Sequence, residues 1–205
     1  MMYPDAARAP KKARYACHEA GHAVAGVING DKLELVVADR DAQMTKEQRA
    51  LYEEWTNGKG GREATFSRKK DLLCECGGKI IPDIETGTRR KFYPGRPSCD
   101  ICSEFLVSEV AVALAGGKAT RILMDYRNPF ESRDDGNYVL ALLVKLADEM
   151  GMDIRTRGMR RAEEWITKER KATLVLTGVL EAKGVLWGDE AERIVSEKLT
   201  VSPAG

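Results

Sequence analysis

Histidine is the scarcest reactive side chain in this chain of 205 residues: only His18 and His22 occur. Neither sign of charge dominates, since 33 Lys and Arg against 32 Asp and Glu leave a net charge of +1. Nothing global therefore draws the chain to nucleic acid or to an anionic membrane. Long apolar runs are missing too. YVLALLV (138–144) falls far short of the ~20 residues that a membrane-spanning helix needs, and the first residues lack the apolar h-region of a signal peptide. The phosphate-cradling pattern G-x-x-x-x-G-K-[ST] does not occur, because GGKAT (116–120) has the wrong spacing. Cysteine is present but odd in number, at five, with four of them clustered. That count suits a reducing compartment and metal binding better than a disulfide framework. The expectation is a cytoplasmic, globular chain whose 22.7 kDa fit one domain with a small insert.

The residues that are present organise themselves mostly as helices. Ala16, Ala20, Val24, Val27 and Ile28 recur at helical spacing, so Lys11 to Asn29 reads as a helix with Asn29-Gly30 as its stop. LELVVAD (33–39) reads as a strand, KEQRALYEEW (46–55) as a short surface helix and EATFS (63–67) as a second strand. Residues 68–102 hold the clustered cysteines among many turn formers and read as an insert. Ser103 to Met124 is helical by composition, NPFESRDDGN (128–137) is a loop, and Tyr138 to Met150 is an apolar helix closed by Gly151. Residues 158–183 predict one long amphipathic helix ending at Gly184, and Asp189 is expected to cap a last helix through Leu199. The fold class is mainly α, within α+β, with one hairpin-sized sheet. Trp55, Trp165 and Trp187 are expected in packing roles.

Both histidines lie in ACHEAGHAVAG, four positions apart with Glu19 after the first. On a helix that spacing stacks two imidazoles on one face, where both can reach one zinc ion at roughly 2.0–2.1 Å. A carboxylate beside them can take a proton from water activated by the metal, which is the logic of H-E-x-x-H metallopeptidases. The competing reading is an ordinary amphipathic helix. Gly21 favours close approach by another backbone, since glycine inside a helix otherwise costs about 1 kcal/mol against alanine. A catalytic zinc needs a third protein ligand. The metzincin extension would place Gly at position 25 and His at 28, whereas the chain has Ala25 and Ile28. The third ligand must then be a carboxylate or a thiolate.

KARYACHEAGHAVAG (12–26) resembles the opening helix of the peptidase domain of FtsH-type ATP-dependent zinc proteases. The likeness continues in order through LELVVAD, VALAGGKAT (112–120), RDDGNYVLALLVKLADEMGM (133–152) and ERKATLVLTGVLEAKGVLWGDEAERI (169–194). It covers most of the chain apart from residues 40–102. The resemblance implies a helical, zincin-like fold over residues 1–205. It implies catalytic zinc on His18, His22 and Asp135, with Asp134 as the alternative third ligand and Glu19 as general base. The Ser132 to Asp135 spacing is also an ordinary capping signature. Three departures stand out. The family's Asn-Asp-Leu is Asp134-Asp135-Gly136, its acidic pair after the Gly-Gly helix motif is Arg121-Ile122, and the ATPase module is missing, so ATP is not expected as a partner. An extended peptide would add beside Leu33, Leu35 and Val37, taken as an exposed edge strand.

Cys74, Cys76, Cys99 and Cys102 have the composition of a closed, structural four-cysteine zinc site, zinc-ribbon-like in the insert. So small a module needs a metal staple to fold. Its basic runs, Arg68 to Lys70 and Arg89 to Lys91, are offset by Asp71, Glu75, Asp83, Glu85 and Asp100, so nucleic acid is not the expected partner. Cys17 is expected to be a small buried residue off the metal face. The function expected is an ATP-independent zinc metalloendopeptidase acting on flexible or unfolded protein segments, away from membranes. The other reading is a catalytically reduced adaptor that binds a protein partner through the cysteine-bearing insert; homo-oligomerisation stays open.

Overall fold

The structure, a computed structural model, describes residues 10–56, 64–68, 74, 76, 79–82, 90–93, 99–126 and 153–199. Helix α1 spans Lys11–Asn29, strand β1 Lys32–Val37, helix α2 Lys46–Thr56 and strand β2 Ala64–Arg68. In the insert, β3 (Lys79–Pro82) and β4 (Arg90–Tyr93) form an antiparallel hairpin. Helix α3 (Asp100–Met124) follows, then α4 (Ile154–Lys168), α5 (Arg170–Lys183), strand β5 (Val185–Trp187) and α6 (Gly188–Ser196). The architecture is mainly helical with a three-stranded antiparallel sheet in the order β2-β1-β5.

Alanines explain why α1 sits at the centre. Ala16, Ala20, Ala23 and Val24 pack with Leu176 and Leu180 of α5, Leu33 and Val36 of β1, and Ala191 and Val195 of α6. A neighbouring flank of α1 places Ala13, Cys17 and Ala25 against Ala115, Ala119 and Met124 of α3 and Ile166 of α4. Small side chains on both flanks let helices close in from two directions, and larger residues on the partners supply the burial. Each fully buried leucine contributes about 1.5–3 kcal/mol. Gly30 ends α1 in the left-handed region, with φ 80°, and its N–H returns to the carbonyls of Gly26 and Val27. The expected helix and stop coincide with those observed.

A bulge between Leu33 and Leu35 shifts the side-chain alternation along β1 and so divides the sheet between two cores. Leu33 and Val36 face α1, while Leu35 and Val37 turn to the other side with Tyr52 of α2, Trp55 and Trp187. Trp165 packs with the α1–α3–α4 core. All three tryptophans therefore pack as expected.

Several boundaries differ from the sequence expectation. The long helix expected at 158–183 begins at Ile154, capped by the Asp153 carboxylate on the Thr156 N–H, and breaks at Glu169. Glu169 leaves helical dihedrals (φ −98°, ψ 28°), yet Glu169 N still donates to Trp165 O and Thr173 N to Glu169 O. Apolar residues at helical spacing stand on both sides of the bend, and the polar stretch 167–171 between them contains neither glycine nor proline, which is why the pattern reads as one helix. Asp189 is not the cap of α6. Trp187 occupies that position, and Asp189 lies in the first turn with its Oδ1 accepting from the Glu190 N–H. Helix α3 starts one turn earlier than expected and takes Cys102 into its first turn. The expected loop at 128–137 and helix at 138–150, with Gly151, lie outside the described residues. No helix among the described residues is long and apolar enough to cross a membrane.

Candidate metal centres

Helix periodicity places His18 and His22 one turn apart on α1, with their rings at 78° and their centroids 4.8 Å apart. The Nε2 atoms converge to 3.1 Å. Two nitrogens at zinc distance from one ion, at angles of roughly 100–110°, would stand about 3.1–3.4 Å apart, so the pair fits a shared cation. The Nδ1 of His22 lies 2.9 Å from the carbonyl oxygen of Val112 on α3. A carbonyl only accepts, so Nδ1 carries a proton, which leaves Nε2 as the nitrogen that would ligate a cation. A backbone carbonyl thus orients the ring. Sequence reading overlooked this partner, because the helix-to-helix register that brings residue 112 to residue 22 is not written in either segment.

Two glycines make that register attainable. A Cβ on Gly21 would lie 2.6 Å from Ala115 O and 2.7 Å from Ala119 Cβ. The close approach expected from Gly21 is therefore present, and the approaching backbone belongs to α3. A Cβ on Gly116 would stand 2.5 Å from His22 Nε2 and 2.7 Å from His18 Nε2. Only glycine at 116 leaves both ring nitrogens their place.

Glu19 is buried, at 4% exposure, and Thr65 of β2 donates its hydroxyl to the carboxylate Oε2 at 2.8 Å. Thr65 Oγ1 also lies 3.2 Å from the Glu19 carbonyl. Thr65 is a second residue that sequence reading passed over; its signal would have been a hydroxyl in a strand whose partner positions are apolar. The proposed third ligands, Asp134 and Asp135, lie outside the described residues. Among the described residues, the only group of three or more metal-ligand side chains is the cysteine cluster.

Leu33, Leu35 and Val37 do not form an exposed edge. They are 2%, 0% and 0% exposed, and β1 is the central strand. The correction has a specific cause. Three residues between Gly184 and Gly188 form β5, too short to announce itself, and occupy the side of β1 that would have been open. Further along, the Leu33 N–H donates to Glu192 Oε1 at 2.6 Å, and a Cβ on Gly188 would lie 2.0 Å from Leu33 O.

The second centre assembles at the foot of α3. The Sγ atoms of Cys74, Cys76, Cys99 and Cys102 all lie within 4.8 Å of one another, and the group could hold a metal ion. Cys74 and Cys99 are 3.4 Å apart, as are Cys76 and Cys102, and all four are free thiols. Sulfurs placed tetrahedrally at about 2.3 Å from zinc stand roughly 3.7 Å apart, so the spread fits. The β3–β4 hairpin joins the two ligand pairs in the manner of a zinc ribbon. Cys99 caps α3 and Cys102 sits in its first turn, where the helix N-terminus favours thiolates. Burial, then the neighbouring Cys76, Cys74 and Cys99 thiols, pushes the Cys102 thiol up.

Cys17 behaves differently. It is fully buried, and burial pushes its thiol up to about 12 despite a lowering hydrogen bond from Thr177. As expected, it is a packing residue away from the histidine pair. No model of a known protein family matches this chain, and no curated protein matches it.

Proposed function

We propose that this chain is an ATP-independent zinc metalloendopeptidase of FtsH type, cleaving peptide bonds in flexible or unfolded protein segments. The observation that carries the reading is the convergence of His18 and His22 at 3.1 Å, with His22 oriented by Val112, beside the buried Glu19. His18 and His22 would hold the ion, joined by Asp135 or, failing it, Asp134. Zinc held there supplies a Lewis acid for the scissile carbonyl and lowers the pKa of water toward about 7. Glu19 accepts a proton from the attacking water and later delivers it to the departing amine. The oxygen ends in the new carboxyl group, and the peptide C–N bond is the one broken.

An extended substrate would pair along β2, the outer strand among the described residues and tied to Glu19 through Thr65, rather than along β1. Main-chain pairing of this kind reads backbone before side chains, which suits unfolded segments. With no phosphate-cradling motif in its 205 residues, the chain itself would not draw on ATP. The cysteine tetrad would hold a second, closed zinc that stabilises the insert and presents it to a protein partner.

Purified protein incubated with unfolded casein tests the reading. Cleavage by the wild type with a loss of about 100- to 10,000-fold in Glu19→Gln is the expected result. Equal cleavage by both refutes the role of Glu19, and no cleavage by the wild type favours the adaptor alternative. Metal analysis should find two zinc ions per chain, one lost on replacing His22 and the other on replacing Cys99.

A further inference from the structure

We infer that Thr65 is a positioning residue for Glu19, a role that rests on the hydrolase reading. Thr65 pairs across the sheet with Val36, and directly opposed residues share a face of a sheet. Val36 is fully buried in the core that includes α1. At such a position valine would have the same shape and no polar atom to satisfy, whereas a hydroxyl turned toward a core costs free energy unless it is bonded. Here it is bonded, at 2.8 Å, to the one carboxylate on the histidine turn.

Thr65 has a single hydroxyl proton to donate. The carboxylate contact is shorter than the 3.2 Å approach to the Glu19 carbonyl, and the negatively charged acceptor is the stronger one. A free glutamate side chain samples several rotamers, and ordering it costs on the order of 1.5–2 kcal/mol. A fixed donor from a neighbouring strand holds the carboxylate in place before substrate arrives. Because Thr65 lies on the outer strand proposed to receive substrate, one residue also ties the substrate-binding edge to the proton acceptor.

The test compares Thr65→Val and Thr65→Ser with the wild type on unfolded casein. Losing a hydrogen bond to a charged group should lower kcat about 10- to 100-fold in Thr65→Val, with KM within about twofold, because the interaction is with Glu19 and not with substrate. Thr65→Ser retains the donor and should restore most of kcat, a rescue that lost packing would not produce. An active wild type matched by Thr65→Val overturns the positioning role alone and leaves the hydrolase reading intact. An inactive wild type overturns the hydrolase reading and this role with it. Should Thr65→Val fail to fold, the wild type decides by NMR without any assay. A slowly exchanging Thr65 hydroxyl proton in contact with the Glu19 side-chain methylenes supports the role, and a rapidly exchanging one refutes it.

Discussion

The histidine pair and the cysteine tetrad are both candidate metal centres, yet they are built in opposite ways. His18 and His22 come from one turn of a helix packed against two cores, and their spacing exists as soon as α1 forms. The tetrad draws ligands from two chain segments joined by a hairpin, and among the described residues its local cluster holds the cysteines and Phe105. One centre is held by the hydrophobic core, while the other would be held by an ion. The difference teaches where each would fail, since a packed helix keeps its geometry without metal and a small insert does not.

The sharpest way to break this contrast is to remove the ions. Structural zinc in small modules binds with apparent free energies of about 10–16 kcal/mol. A chelator, or Cys99→Ser, should therefore expose the amides of β3 and β4 to hydrogen exchange while α1, α4 and α5 stay protected. Loss of protection throughout the chain would mean that the tetrad supports the whole fold. Gly116→Ala attacks the other centre. Its methyl would enter the space of both Nε2 atoms, at an overpacking cost of about 1–3 kcal/mol. Zinc content should drop by one ion per chain, with the tetrad's ion kept; an unchanged content would refute the shared-cation geometry.

A finer probe uses pH. The Cys17 thiol is raised from 9.0 to about 12 by burial, so the folded state favours its protonated form. That contribution is fully present below pH 9 and fades as pH climbs toward 12, amounting to about 2 kcal/mol lost by pH 10.5. Wild type should lose correspondingly more stability between pH 8 and pH 10.5 than Cys17→Ala, measured by urea unfolding, and parallel curves would refute it. The smallest expected effect lies where the two regions meet. Glu104, one turn into α3, bonds Arg161 at 2.5 Å and also pairs with Arg157, and Arg161 holds its carboxyl below the usual range. The group is half-exposed, so Glu104→Gln should cost only about 0.5–1 kcal/mol, as a small shift in the urea midpoint.

The identity and order of most elements were legible because their causes are local. Alanines at helical spacing with a glycine stop define α1, and Glu19 and the histidines acquire their common turn from that period alone. Gly21 signalled a close approach, although not by which helix. Four cysteines two and three positions apart announced a cluster before any hairpin was known. By contrast, β5 has three residues and no periodicity to detect, and its presence turned β1 from an edge into the centre of the sheet. The bend at Glu169 was equally silent, since no glycine or proline marks it.

The sequence by itself determined that two imidazoles and a carboxylate share a helical turn and that four thiols cluster, because both follow from spacing along one chain. Only the tertiary structure decided that Val112 orients His22, that Gly116 makes room for both rings and that Thr65 grips Glu19. Those contacts join residues 90, 94 and 46 positions apart, and no local propensity encodes a register between distant segments. It is set when close-packed helices and strands find the one arrangement in which small residues meet and buried polar groups are paired.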